Sequence, residues 1–357
     1  MTHFFNLKLN EIRKETEDSV SISLKIPDQL KDKFTYDSGQ YITLKHKVNN
    51  EDVIRSYSLC SSPFENDFRI GVKKIQNGLM STYLNDELKE EDTLEVMLPE
   101  GRFSIHPNKD QEKHYVGVAA GSGITPILSM LKTVLLVELK STFTLYYVNK
   151  NENSVMFQKE IEDYQKRYPE NLKVYNLYTR QEQENSLLNG RITKERFMDL
   201  MRENKEVPKS DGVFICGPED MIFDVSAALK DFGYNKDKVH YELFGTPSDK
   251  MKELVPQVES NFEGESQVTV IMDGDEFEFP LKNDGAFILD ASIENGADAP
   301  FSCKGAVCCT CKAQVIEGKA TMDMNYSLSD EEVEEGFILT CQARPASEKL
   351  VVDYDVS

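Results

Sequence analysis

Histidine is scarce in this chain of 357 residues, which contains only five. None of the five lies at the spacing of a metal site, and none belongs to a nucleophile motif with serine and aspartate partners. The pattern therefore excludes a histidine metal site and hydrolase chemistry of the catalytic-triad type. The residues concerned are His3, His46, His106, His114 and His240.

Long apolar runs and an excess of positive charge are also missing. No stretch approaches the roughly 18 apolar residues of a membrane span, and residues 1–18 lack the apolar core of a secretory signal. The formal net charge of −21 opposes binding to nucleic acid or to an anionic membrane surface. We therefore expect a cytoplasmic protein with no nucleic acid and no membrane among its partners.

The length of the chain predicts several domains, because a compact domain usually holds about 100 to 200 residues. Charge separates one of them, since residues 265–357 contain 19 acidic and 6 basic residues. Residues 246–264 mix prolines and charges without clean periodicity, which is typical of a linker. The predicted division is a first domain at 1–110, a second at 111–245, this linker, and a third at 265–357.

The strongest motif consists of four cysteines with C-x4-C-x2-C spacing and a fourth member after 29 further residues. This is the ligand spacing of a plant-type 2Fe-2S cluster, and the small residues between the ligands suit a loop wrapped closely around one. Zinc is the weaker alternative, because no histidine lies beyond His240 to complete a Cys/His set. Cys309 breaks the spacing and is interpreted as a small buried neighbour. The predicted ligands are Cys303, Cys308, Cys311 and Cys341.

The surroundings of these cysteines favour a β-grasp-like ferredoxin module. Residues 268–272 and 276–280 alternate like two strands joined by an Asp-Gly turn, and residues 289–295 are typical of a short helix. Residues 298–355 resemble the ferredoxin domain of the phenylacetyl-CoA epoxidase reductase family, above all in MDMNYSLSDEEVEEGFILTCQARP. The resemblance implies a multidomain fold: an antiparallel β-barrel flavin domain, an α/β doubly wound nucleotide domain and an α+β β-grasp ferredoxin domain.

Two motifs near the N-terminus resemble the flavin-binding motifs of the ferredoxin-NADP reductase family. The first is R-x-Y-S, in which arginine can grip a diphosphate, tyrosine can cover the flavin ring and a hydroxyl can bond to it. The second is a glycine-led helix start whose amides can bind the diphosphate. Alone, Arg55 would more simply form a surface salt bridge. The resemblance implies FAD held by Arg55, Ser56, Tyr57, Ser58, Gly78, Met80, Ser81 and Thr82.

From His114 onward, short strands alternate with helical stretches, which predicts a parallel, doubly wound sheet. The strands are expected at 115–119, 142–147, 172–178 and 213–216, with helices at 127–136 and 157–167. Gly121-Ser122-Gly123-Ile124-Thr125-Pro126 follows the first strand, and this G-x-G fragment alone is a common loop. The family uses the form G-x-G-x-T-P for NAD(P)H, with a later C-G-P motif. The implied binding residues are Gly121, Ser122, Gly123, Thr125, Pro126, Thr179, Arg180, Cys216, Gly217 and Pro218.

Three residue assignments in this half leave room for simpler interpretations. Thr179 and Arg180 stand where a hydroxyl and an arginine would accept a 2′-phosphate, which favours NADPH over NADH. The alternative is a solvated arginine beside acidic neighbours, Glu182 and Glu184. Taken alone, a buried Cys216 would usually serve as a small hydrophobic residue. In the family that the motifs resemble, the cysteine at this position faces the nicotinamide. Cys60 is interpreted as structural.

The implied activity is electron transfer, and no side chain is required as a catalytic acid or base. NADPH gives up two electrons as hydride, whereas an oxygenase metal centre takes them singly, so a flavin must divide the pair. The resemblance implies an oxidoreductase that serves the oxygenase components of a multicomponent monooxygenase, above all the phenylacetyl-CoA epoxidase complex of phenylacetate catabolism. Phe244 resembles an aromatic that shields the flavin. The alternatives are a reductase for a Rieske-type or steroid-ring oxygenase, or a non-catalytic electron-transfer or redox-sensing protein.

Overall fold

The structure is a computed structural model that describes residues 4–48, 51–245, 247–248 and 262–356. It contains three domains, each built on its own sheet. The predicted linker at 246–264 lies for the most part outside the described residues, and the exact domain boundaries stay a prediction. No helix in the described ranges is long and apolar enough to cross a membrane.

The first domain is a six-stranded antiparallel sheet with the order β4-β3-β6-β1-β2-β5. Leu59, just after β4, bridges to Ile70 in β5, so the two edges of the sheet approach each other as in the predicted barrel. Leu7, Ile22 and Ile42 are fully buried inside it. The elements are β1 (Phe5–Thr16), β2 (Ser19–Lys25), β3 (Tyr41–Val48), β4 (Glu51–Ser58), β5 (Arg69–Lys73), α1 (Leu79–Asp86) and β6 (Thr93–Val96).

The second domain is a five-stranded parallel sheet with the order β11-β10-β7-β8-β9. Its central strands are buried almost throughout because helices cover both faces. The strand order reverses between β7 and β10, and ligands of such sheets bind at the carboxyl ends beside this reversal. The elements are β7 (His114–Ala120), α2 (Ile124–Val137), β8 (Thr142–Asn149), α3 (Gln158–Arg167), β9 (Leu172–Tyr178), α4 (Lys194–Glu203), β10 (Gly212–Cys216), α5 (Glu219–Asp231) and β11 (Val239–Glu242).

The third domain is a mixed five-stranded sheet with the order β13-β12-β18-β14-β16, in which β12 and β18 run parallel. A separate pair, β15 and β17, lies beside it. Asp273 and Gly274 both have positive φ (54° and 82°), as the predicted tight turn between β12 and β13 requires. The elements are β12 (Glu265–Met272), β13 (Asp275–Lys282), α6 (Ile288–Glu294), β14 (Lys312–Glu317), β15 (Ala320–Met322), α7 (Asp330–Glu334), β16 (Phe337–Leu339), β17 (Ala343–Pro345) and β18 (Lys349–Asp353).

The predicted fold class is therefore confirmed in all three parts. The predicted strands and helices of the second domain are all present, and several are one to four residues longer than the sequence pattern indicated. The extra residues are polar as well as apolar. Asn149, for example, is the last residue of β8 and is only 5% exposed, although an apolar pattern in the sequence could not mark it.

A buried lysine joins the first two domains. Lys132 on α2 is only 3% exposed, and its ammonium group pairs with the carboxylates of Glu65, at 3.3 Å, and Glu160. Burial lowers the pKa of Lys132, but the two carboxylates outweigh burial and raise it overall. Around it, Ser62 and Thr133 share a 2.8 Å hydroxyl bond. The interface between these domains thus depends on satisfied polar groups.

We expect Lys132→Met to lower the free energy of unfolding by about 1–3 kcal/mol, because the partly exposed carboxylates of Glu65 and Glu160 lose a buried, charged hydrogen-bond donor. Equilibrium urea unfolding followed by circular dichroism would measure the loss. Lys166→Met is the matched control, since Lys166 forms only an exposed pair with Asp163 and should lose little stability. Equal losses in both variants would contradict a stabilising role for the buried triad.

Candidate functional site

A cavity of about 400 Å³ lies where the three domains meet. Its size falls in the range of cofactor and ligand pockets. Predicted site residues from all three domains line it, which no single motif could show. Those that do are Arg55, Ser56, Tyr57, Ser58, Ser81, Ser122, Thr125, Phe244, Cys303 and Cys308.

The R-x-Y-S motif lies at the carboxyl end of β4, where it pairs with β3. The Ser56 and Thr43 hydroxyls share a 2.9 Å hydrogen bond across the two strands. Arg55 is exposed and donates to the carbonyl oxygen of Ile54. Within the described residues Arg55 has no carboxylate partner, so the simpler salt-bridge interpretation is not supported. The guanidinium is free to grip an anion at the rim of the cavity.

The glycine-led turn before α1 is as tight as the second flavin motif requires. A Cβ atom added at Gly78 would lie 2.4 Å from Ile75 Cγ1 and 2.5 Å from Ser81 Oγ. Ser81 Oγ accepts a hydrogen bond from the Ile75 amide. Met80 is 1% exposed and packs in the barrel core, so only its backbone could meet a cofactor. Of this motif Ser81 lines the cavity, whereas Gly78, Met80 and Thr82 do not.

The two nucleotide motifs contact each other at the carboxyl ends of β7 and β10. A Cβ atom at Gly123 would lie 2.1 Å from the carbonyl oxygen of Cys216, and one at Gly217 would lie 2.9 Å from Ala120 Cβ. Only glycine therefore allows the two backbones to approach this closely. Thr125 of the same motif packs closely against the barrel, because a Cβ atom at Gly71 would lie 2.6 Å from Thr125 Cγ2.

Cys216 and the pair Thr179-Arg180 lie outside the cavity lining. Cys216 is fully buried, and burial together with the nearby Glu242 carboxyl raises the pKa of its thiol. Thr179 and Arg180 follow β9, which lies two strands from β7, a separation of about 10 Å. Arg180 is exposed, and in the described chain it forms no ion pair with Glu182 or Glu184.

Glu242 is a cavity residue that no sequence motif marked. Glu242 ends β11, accepts a 3.2 Å hydrogen bond from the Ser58 hydroxyl and lines the cavity beside Phe244, which is 49% exposed. Burial raises the pKa of the Glu242 carboxyl to about 8, although the Ser58 bond lowers it. In the sequence, its one distinguishing feature is that an acidic residue stands between the hydrophobic residues Tyr241 and Leu243 at the end of a strand. The site therefore contains a carboxyl group that is harder to ionise than an exposed one.

The four predicted cluster ligands form a continuous chain of sulfur contacts. Cys308 Sγ lies 3.2 Å from Cys303 Sγ, Cys303 contacts Cys341, and Cys341 contacts Cys311. Hydrogen bonding to Cys303 and burial raise the pKa of the Cys308 thiol well above its ordinary value. In the described parts of the chain, no three ligating side chains are placed to hold a single metal ion.

The backbone of the cysteine loop fits a cluster with negatively charged sulfurs. Lys304 and Ala306 both have positive φ (51° and 58°), which is unusual for residues other than glycine. Their carbonyl oxygens point outward and accept hydrogen bonds from Gln342 and Ser327. The Gly305 amide points inward and donates to Cys303 Sγ at 3.3 Å. Such inward amides stabilise thiolate ligands and tune the cluster.

Cys309 is separate from this chain of sulfurs. It is 5% exposed, its amide donates to the Tyr41 hydroxyl, and its side chain lies beside Tyr41 and Ser327. Its interpretation as a buried neighbour of the ligands stays a prediction.

Fold and site together define a class: a flavin- and nicotinamide-dependent reductase that carries its own iron–sulfur domain. Three family models match successive parts of the chain. The oxidoreductase FAD-binding domain matches residues 6–105, the oxidoreductase NAD-binding domain residues 118–227, and the 2Fe-2S iron-sulfur cluster binding domain residues 270–346.

Full-length relatives make the assignment more specific. The chain is 38% identical to a component of the 1,2-phenylacetyl-CoA epoxidase of Escherichia coli (strain K12), over 99% of both chains. It is 32% identical to the ferredoxin reductase component of 3-ketosteroid-9-alpha-monooxygenase from Rhodococcus rhodochrous, over 98% of this chain and 96% of that protein. The chain belongs to this family of oxygenase reductase components and is an NAD(P)H-dependent flavin and iron–sulfur oxidoreductase.

Solved structures share the whole architecture. Phthalate dioxygenase reductase, described as a modular structure for electron transfer from pyridine nucleotides to 2Fe-2S, has a TM-score of 0.57 and 25% identity, with 98% of both chains covered. An intact type IV self-sufficient cytochrome P450 monooxygenase has a TM-score of 0.70 at 21% identity, over 98% of this chain and 41% of that one. The second likeness shows the fold alone.

We expect Glu242→Gln to become more stable relative to wild type as pH rises. An unfolded glutamate ionises near pH 4.3, whereas the folded Glu242 stays protonated until about pH 8. As pH rises from about 4.3 to about 8, folding of the wild type therefore becomes less favourable relative to folding of Glu242→Gln. Above about pH 8 the difference in stability between the two proteins levels off. Thermal unfolding of both proteins from pH 5 to 9 measures this trend, with the exposed Glu182→Gln as control. A difference independent of pH would contradict it.

Proposed function

We propose that the protein passes electrons from NADPH through FAD and a 2Fe-2S cluster to the oxygenase of a phenylacetyl-CoA epoxidase system, in phenylacetate catabolism. The observation that carries this proposal is the shared cavity, which residues of the flavin motif and two cluster cysteines line together. The identity of 38% to the Escherichia coli epoxidase component supports the choice of partner.

The order of transfer follows from the number of electrons that each group handles. NADPH releases hydride, which carries two electrons, and becomes NADP⁺; bound FAD supplies the chemistry that accepts this pair and releases it as single electrons. Two one-electron transfers to the cluster therefore balance one hydride, and the protons return to solvent. The protein contributes binding, orientation and exclusion of water.

Residues of the barrel are suited to hold FAD at the cavity. Arg55 can grip the diphosphate as a charged fork, and the amides at the start of α1 can bind the same group. Tyr57 offers a ring face. Ser58, whose hydroxyl donates to Glu242, can offer its oxygen to the flavin ring. Phe244 is exposed in the same cavity, where it can cover the ring until the nicotinamide replaces it.

The proposed nicotinamide donor is NADPH. Gly121, just before α2, has open space on its Cβ side, so a pyrophosphate can approach the backbone amides there. Arg180 is exposed without a carboxylate partner in the described chain, and it follows β9, which lies two strands from β7. Its guanidinium can therefore meet a 2′-phosphate.

Reconstitution tests the proposed partner. The purified protein is mixed with NADPH and the oxygenase components of a phenylacetyl-CoA epoxidase, and consumption of phenylacetyl-CoA is followed. A second candidate function is electron supply to a steroid-ring oxygenase, which the 32% identity over 98% of the chain favours. If this candidate is correct, parallel reactions with 3-ketosteroid-9-alpha-monooxygenase components would consume the steroid, whereas phenylacetyl-CoA would not be consumed.

We expect Cys308→Ser to abolish the cluster absorption and the support of oxygenase turnover, while NADPH still bleaches the flavin. The thiol contacts Cys303 in the chain of sulfurs, so its loss removes a ligand. Cys309→Ser is the matched control at the neighbouring position and should keep two irons and two sulfides per chain. Stoichiometric zinc in place of iron in the wild type would overturn the cluster assignment.

We expect Arg180→Ala to weaken NADPH binding about ten- to a hundredfold, because a hydrogen-bonded charge on the 2′-phosphate is lost. NADH binding should change little, since NADH lacks this phosphate. The apparent KM for each nucleotide in flavin reduction measures the effect. Arg202→Ala, at an exposed arginine on α4 paired with Asp199, is the control. An equal loss for both nucleotides would mean that Arg180 does not contact the 2′-phosphate.

A further inference from the structure

Tyr41 connects the flavin cavity to the cysteine loop of the third domain. It begins β3 and lies opposite Ser58 in the strand register, so it belongs to the barrel at the flavin motif. Its side chain is 5% exposed and lines the cavity together with Cys303 and Cys308. No sequence motif marked this residue.

The hydroxyl of Tyr41 reaches into the middle of the cluster motif. It accepts a 2.8 Å hydrogen bond from the amide of Cys309, which lies between the predicted ligands Cys308 and Cys311. The barrel therefore holds the cysteine loop directly by its backbone, close to two of the sulfurs.

Contacts with Glu100 and Gly101 hold Tyr41 in place. Its amide donates to the carbonyl of Glu100 at 2.9 Å, and the Glu100 amide donates back to Tyr41 at 2.9 Å. Gly101 has a φ of 113° and leaves room for the ring, since an added Cβ would lie 2.8 Å from Tyr41 Cε1. Backbone bonds on one side and the ring contact on the other restrict the position of the hydroxyl.

Other bonds between the first and third domains reach different segments. Arg102 donates to the carbonyl oxygens of Tyr326, at 3.1 Å, and Leu328, at 2.6 Å, while Ser302 donates to the carbonyl of Ile54 at 3.1 Å. These bonds dock the domain. Among the described contacts, the Tyr41 bond is the one that meets the backbone between cluster ligands.

We propose that Tyr41 is a positioning residue for electron transfer, because it holds the cysteine loop at a set distance from the flavin cavity. The proposal rests on the function proposed above. Each transfer moves one electron from reduced flavin to oxidised cluster and forms no bond, so its rate depends steeply on the separation of the two groups. Sub-ångström control of such a separation requires a support that is itself packed and hydrogen-bonded.

The test compares Tyr41→Phe with Tyr36→Phe in the full-length protein. Both changes remove one hydroxyl from the same domain, but the Tyr36 hydroxyl bonds Ser61, inside the barrel domain, at 2.9 Å. Hydrogen–deuterium exchange at the Cys309 amide is the first measurement, and it does not depend on turnover. We expect Tyr41→Phe to exchange about two- to tenfold faster, the range set by one lost hydrogen bond, and Tyr36→Phe to match wild type.

Stopped-flow reduction by NADPH is the second measurement, with flavin and cluster bleaching followed separately. We expect Tyr41→Phe to keep the wild-type flavin phase and cluster spectrum, and to slow the cluster phase, because the cysteine loop is no longer held at its distance from the flavin cavity. A merely structural tyrosine would change both phases together or neither.

The outcomes separate the proposals. Unchanged exchange at Cys309 would overturn the hydrogen bond, and faster exchange with an unchanged cluster phase would overturn the positioning role. A wild-type protein in which NADPH reduces neither group would instead refute the proposed function, and the Tyr41 role would end with it. Slower cluster reduction together with faster exchange, confined to Tyr41→Phe, would establish the role.

Discussion

The close packing that glycine permits around the cavity is the constraint on which the rest of this structure depends. Within the nucleotide domain, Gly123 allows the turn after β7 to touch the carbonyl of Cys216, and Gly71 of the barrel allows the Thr125 side chain to pack against it. A side chain at Gly71 would push Thr125 away from the barrel. Because hydride transfer and electron transfer both require short distances, these contacts set the geometry of every later step.

Polar contacts between the domains then fix how the three domains are oriented relative to one another. The Lys132 triad joins barrel and nucleotide domain, whereas hydrogen bonds at Tyr41, Arg102 and Ser302 join barrel and ferredoxin domain. An ion pair between Lys312 and Glu100, at 3.8 Å, joins the same two domains. Both interfaces therefore combine a charged pair with hydrogen bonds.

Protonation inside the cavity follows from the same enclosure. Burial raises the pKa of the Glu242 carboxyl to about 8, and the group accepts a bond from Ser58 at the place where the flavin motif ends. In its protonated form this carboxyl group adds no charge to the cavity. The acidic character of residues 265–357, by contrast, lies on the outside of the third domain, where it can meet another protein.

Much of this protein was readable from its sequence, because local spacing carries the information. The cysteine spacing, the alternation of strands and helices and the Asp273-Gly274 turn each depend on neighbours in the chain, and the structure confirms the fold that they predict. Glu242 and Tyr41 could not be found in this way. Their roles come from contacts with Ser58 and Cys309, 184 and 268 residues away in the chain, and only tertiary packing decides which groups such distances bring together.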